Sequence, residues 1–178
     1  MTTVKGRAAG ALAVIGAVAA LAGCATVPGT GSANPSDVAA YQTTLASSRA
    51  AAADSAGKSA CRAWRAGYDT RRPASEATIT FTKGDPYWTW EGIAGLMSAN
   101  FAAIATETGK LPAIITTADP NPSIRALLVD YKSKLDAYAD ALRADQAARG
   151  AEDQTWPKTN PANSALTAAA NALIASCG

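Results

Sequence analysis

The sequence predicts an all-α fold over residues 36–178, a small antiparallel bundle of about four or five helices, and three observations lead there. Asn or Asp precedes Pro at four places: Asn34-Pro35, Asp85-Pro86, Asn121-Pro122 and Asn160-Pro161. An Asx side chain caps a helix N-terminus, and Pro fits the first turn because its missing N–H costs no hydrogen bond there. Each dipeptide therefore reads as a helix start. Apolar residues then recur at spacings of three and four, the period of one helix face. Alanine is abundant throughout, which favours helix and lets helices approach closely.

Taken in order, the first segment offers Val38, Tyr41 and Leu45 on one face before Gly57 weakens the pattern. Beyond it, Cys61, Trp64 and Tyr68 share a face. After Pro86 come Ile93, Met97, Asn100, Phe101 and Ile104, with Gly109 placed to stop the helix. After Pro122 come Ile124, Leu127, Leu128, Tyr131, Leu135, Tyr138 and Leu142, the clearest amphipathic run in the chain, closing by Gly150. Its other side carries Asp130 with Lys134 and Lys132 with Asp136, four residues apart as ion pairs on a solvated face require. The last segment places Leu166, Ala170, Leu173 and Cys177 together. Two short β-branched stretches, 77–82 and 113–117, read as extended connectors or a small two-stranded ribbon, and connectors are preferred since an isolated strand pair is marginal.

The N-terminus has a different character. Lys5 and Arg7 precede an uncharged run over residues 8–22, shorter than the roughly 20 apolar residues of a membrane span. The run ends in Leu21-Ala22-Gly23-Cys24. Basic, apolar and small residues in that order make a secretory signal. The four closing residues resemble the lipobox of bacterial lipoproteins, a likeness covering only about the first 24 residues. It implies cleavage before Cys24 and attachment of diacylglycerol to its thiol. Two acyl chains on one residue anchor stably where a single chain holds only marginally. Residues 1–23 would be the signal peptide and 24–35 the lipidated Cys24 with a flexible tether rich in Thr, Ser, Gly and Pro. The mature protein is then expected on the outer face of the cell membrane or in the cell envelope.

Cys61 and Cys177 remain in a chain directed to an oxidising compartment, and an even remainder of two predicts one disulfide. With Lys5 and Arg7 gone, the 16 basic side chains fall to the 14 of the acidic ones. A neutral chain offers no basic patch for nucleic acid, and none is expected as a partner.

Chemistry is conspicuous by what it lacks. The chain contains no His, which excludes His-based triads and metal sites, and no calcium-loop pattern occurs; no metal and no cofactor are expected. Ser55-Ala56-Gly57-Lys58 fits the S-x-x-K pattern of penicillin-binding proteins, and Ser98-Ala99-Asn100 resembles their S-x-N element. The required K-T-G is represented only by Lys158-Thr159-Asn160, and a central sheet is missing. Gly57-Lys58-Ser59 echoes a phosphate-binding loop, but Ala52 stands where its first glycine belongs. The chain therefore reads as a non-enzyme.

Aromatic residues are the candidates for contact. Tyr87, Trp88 and Trp90 are too close in sequence to face one core together, so at least one ring should be partly exposed; the cluster either contacts a partner or, the favoured reading, packs against neighbouring loops. Trp156, beside Pro157, is either a further contact residue or a plug between helices. The reading is a membrane-anchored envelope lipoprotein that binds or scaffolds an envelope component. The alternative is a protective lipoprotein that blocks an incoming agent, similar in design to superinfection-exclusion and toxin-immunity lipoproteins.

Overall fold

The computed structural model describes residues 34–149 and 156–178, and their only regular elements are four helices. These are α1 (Pro35–Gly84), α2 (Ala94–Thr117), α3 (Pro122–Ala148) and α4 (Thr159–Cys177). They form a small helical bundle with one disulfide. The expected signal peptide, Cys24 and the tether up to residue 33 lie outside the described residues.

Two of the four Asx-Pro dipeptides start helices as expected. The Asn34 side chain accepts the N–H of Ser36, with Pro35 in the first turn of α1. Asn121 does the same for Ile124 at the head of α3. Asp85-Pro86 instead ends a helix: Asp85 is the C-cap of α1, its carboxylate accepting the N–H of Tyr87 in the turn that follows. α2 begins only at Ala94. At Asn160-Pro161 the helix starts two residues earlier, with Lys158 as its N-cap, because the Asp145 carboxylate on α3 accepts the N–H groups of Lys158 and Thr159. A tertiary cap has taken the place of a local one.

Both expected connectors are helical. Residues 77–82 belong to α1 and 113–117 to α2, and Gly109 lies inside α2 rather than ending it. Threonine tolerates this by turning its hydroxyl back onto the preceding turn: Thr78 to the Ala74 carbonyl, Thr82 to Thr78, Thr116 to Pro112 and Thr117 to Ala113. The helices also run through Pro73 and Pro112. An interior proline costs about 3 kcal/mol. The α2 turns around Pro112 bury Leu111, Ile114 and Ala118, and each large apolar side chain contributes about 1.5–3 kcal/mol, so burial outweighs the lost hydrogen bond.

Gly57 likewise fails to interrupt α1. A Cβ there would lie 2.5 Å from the Asn121 side-chain nitrogen. Asn121 thus caps α3 with its oxygen and donates to the Ala53 carbonyl of α1 with its nitrogen, at 3.2 Å. This contact marks where the bundle begins. From Asn34 to Ala52 every residue of α1 is exposed except Leu45, which is half-buried. Val38 and Tyr41, expected to face a core, are exposed. About 27 Å of helix therefore projects past the other three helices, at 1.5 Å per residue.

The disulfide joins Cys61 to Cys177, with Cα atoms 5.6 Å apart and a sequence separation of 116. Closing so long a loop restricts the unfolded chain by about 4–5 kcal/mol in the chain-entropy account. Replacing both cysteines by Ser should lower the melting temperature by on the order of 10 °C in calorimetry. An unchanged melting temperature would show that the staple adds nothing to the packed helices. For Gly57→Ala, helix propensity alone predicts a gain of about 1 kcal/mol. The Asn121 contact predicts a loss in urea unfolding, and the Asn121→Ala background should remove that loss.

Candidate functional site

Neighbouring helices α1 and α2, α2 and α3, and α3 and α4 pack along their lengths, whereas α1 and α4 touch little beyond the disulfide. The seam between them opens into depressions. One, of about 300 Å³, lies at the α4 N-terminus among Thr78, Ile79, Thr82 and Lys83 of α1, Tyr138 and Leu142 of α3, and Trp156, Thr159, Asn160 and Asn163. A second, of about 230 Å³, shares Ile79 and Asn163 with it and continues past Ser75, Arg71 and Tyr68. Below these the Cys61–Cys177 bond borders a third.

Periodicity explains why polar groups line this seam. The core-facing positions of α1 run Cys61, Trp64, Tyr68, Arg71, Ser75 and Thr78, and the last three are polar yet buried. On α2 the same spacing runs from Asn100 through Ile104 to Glu107. The Arg71 guanidinium meets the Glu107 carboxylate at 2.5 Å, with the side chains 6% and 3% exposed. Tyr131 of α3 donates its hydroxyl to the other Glu107 oxygen at 2.7 Å. Arg71 also donates to Ser75 at 3.0 Å and to the Tyr131 oxygen at 3.3 Å, and Ser75 donates to Asn100 at 2.8 Å. Trp64 closes the cluster, edge-on to Tyr131 at 5.5 Å.

Burial pushes the Tyr131 phenol well above its ordinary range; the Glu107 charge adds to this and Arg71 opposes it. Burial alone would lower the Arg71 guanidinium, but the oxygens of Tyr131 and Glu107 and their hydrogen bonds hold it above its usual value. Opposite charges are thus matched inside the bundle. Such a pair is weak evidence for net stability, yet removing one partner is costly because the other is left buried and uncompensated.

The aromatic candidates separate. Tyr87 is 86% exposed, while Trp88 and Trp90 are buried. Trp156 is half-buried, stacked on Trp88 at 5.5 Å and edge-on to Trp90 at 5.0 Å. Residues too close in sequence to share one helix face do share a core here, because 85–93 is a turn segment rather than a helix. The three indoles tie the α1–α2 connection to the start of α4, and Trp156 also forms a wall of the 300 Å³ cleft. Cys61 and Cys177 are bonded to each other. Ser55 and Lys58 sit on the exposed surface of α1, where Lys58 pairs with Asp54 at 2.8 Å. Ser98 is exposed, and Asn100 is buried, bonded to Ser75. Cys24 lies outside the described residues.

Sequence reasoning missed Arg71, Ser75 and Glu107. The signal was present, since each continues an apolar stripe at helical spacing. Both stripes were followed only as far as their apolar members, Tyr68 and Ile104, and the next residues on them are polar or charged. Among the described residues, no three His, Cys, Asp or Glu side chains gather as a metal site, and no helix is long and apolar enough to cross a membrane. No family model, curated protein or solved structure matches the chain.

Glu107→Gln should lower stability by about 3–5 kcal/mol in urea unfolding, because Arg71 then keeps its charge without a counterion. Tyr131 holds its proton longer when folded than when unfolded, so its contribution is full below about pH 10 and lost as pH rises further. Tyr131→Phe should be less stable at neutral pH, by about 1–3 kcal/mol, and should show a shallower alkaline decline. Parallel alkaline profiles would mean that Tyr131 is not held neutral by the fold.

Proposed function

We propose that this chain is an exported bacterial lipoprotein, anchored through Cys24, that acts without catalysis by binding a component of the cell envelope. The observation that carries the binding part is the open α1–α4 seam, whose cleft at the head of α4 has hydroxyls, carboxamides and an indole in its wall. That lining contains no carboxylate, Cys or His, and its hydroxyls and carboxamides suit hydrogen bonding to a ligand.

Anchoring is supported by the signal ending in Leu21-Ala22-Gly23-Cys24 and by a disulfide suited to an oxidising compartment. The projecting part of α1 suits the same reading. It would stand the bundle away from lipid on Cys24, leaving the seam accessible.

In a bacterial host the mature protein should incorporate labelled palmitate and partition into the detergent phase, and Cys24→Ser should abolish both. Equal labelling of the variant would overturn the anchor. In the same strains Ser55→Ala and Lys58→Ala should leave any scorable phenotype intact, since both residues lie on the solvated face of α1.

A further inference from the structure

The cleft at the head of α4 carries more polar capacity than the fold uses. Tyr138 is 2% exposed and Thr159 7% exposed, and both line it. The Thr159 hydroxyl is buried with no hydrogen-bond partner, and the Tyr138 hydroxyl, which makes no hydrogen bond among the described residues, is not sealed from solvent. A buried hydroxyl without a partner costs about 1–3 kcal/mol, so Thr159 beside this opening, with the free Tyr138 hydroxyl next to it in the lining, points to a ligand that supplies the missing bond. The Asn160 and Asn163 carboxamides stand beside them, also unengaged among the described residues, each offering donors and an acceptor.

Trp156 adds an aromatic wall, and Lys83 is exposed at the rim with no carboxylate in the lining to neutralise it. Hydroxyls and carboxamides that can both donate and accept, set against an indole, match a sugar ring. A sugar presents hydroxyls around its edge and a C–H face that packs on aromatic carbon. A volume of about 300 Å³ holds one or two rings and sits at the small end of ligand pockets. Resting on the binding reading above, we propose that this cleft binds a short saccharide bearing an acidic substituent, with the rings against Trp156, Tyr138, Thr159 and Asn163 and the acid at Lys83.

The whole chain carrying Cys24→Ser separates this proposal from the question of anchoring, because the cleft is left intact whether or not Cys24 is acylated in the cell. It is titrated, with tryptophan fluorescence and amide chemical shifts as readouts, against two disaccharides. One is N-acetylglucosamine linked to N-acetylmuramic acid, which carries a single carboxylate; the other is chitobiose, which carries none. The acidic disaccharide should bind saturably and several-fold more tightly than chitobiose. Lys83→Gln, a change at an exposed position, should abolish that preference. Asn163→Ala should weaken both sugars about tenfold, the equivalent of 1.4 kcal/mol, with the melting temperature unchanged. Absence of binding by either sugar, equal affinity for the two, or full binding by Asn163→Ala would each overturn the proposal.

Discussion

The arrangement of this bundle depends on one buried ion pair. Arg71 on α1 and Glu107 on α2 meet out of water, and Tyr131 on α3 bonds the carboxylate from the far side. Each group is desolvated, so each is tolerable only while the other two stay in place. That requirement sets the axial position of three helices against one another in a way that Leu and Ala contacts alone would not, because apolar packing tolerates sliding far better than a two-oxygen acceptor does. Ser75 and Asn100 extend the same bonding one turn further along α1 and α2.

With α1, α2 and α3 held by that cluster, α4 is the helix left over. It packs along α3, takes its cap from Asp145 of α3, and reaches α1 chiefly through the bond between Cys61 and Cys177. The disulfide pins one end of the α1–α4 seam, and the stack of Trp88, Trp90 and Trp156 pins the other. Between two fixed ends the seam need not close, and polar side chains at its floor disfavour closing it with apolar packing. An open cleft whose walls belong to a stapled, cross-braced frame is also a preorganised one, which lowers the entropy cost of holding a small ligand.

Much of the fold was legible from local pattern. The core face of α3 can be read directly from Ile124 to Leu142, and the Asn34 and Asn121 caps follow from two adjacent residues each. The Cys61–Cys177 pair follows from elimination once Cys24 is assigned to lipid. The reading failed where a local preference was opposed by something distant. Thr-rich 77–82 has strand character by composition, but its hydroxyls bond back along the helix and Thr78 is buried on the core face. Pro112 and Gly109 weaken α2 locally, whereas Leu111 and Ile114 hold it in the core from both sides. The candidate cleft was less visible still: of its lining only Trp156 was read as a contact residue, because Tyr138 on α3 reads as core and Thr159 and Asn163 on α4 are unremarkable in sequence.

The amino-acid sequence by itself determined that this chain is helical, where two of its helices start and which face α3 buries, and, with Cys24 set aside, it pointed to the pair Cys61 and Cys177. Those properties depend on residue types within a few turns of one another or on simple parity. Tertiary structure alone decided that α1 runs unbroken for 50 residues, that Arg71 and Glu107 neutralise each other inside the bundle, and that α4 stands away from α1. Each of these turns on the burial of one helix against another, and burial is a property of the assembled helices that no single stretch of chain contains.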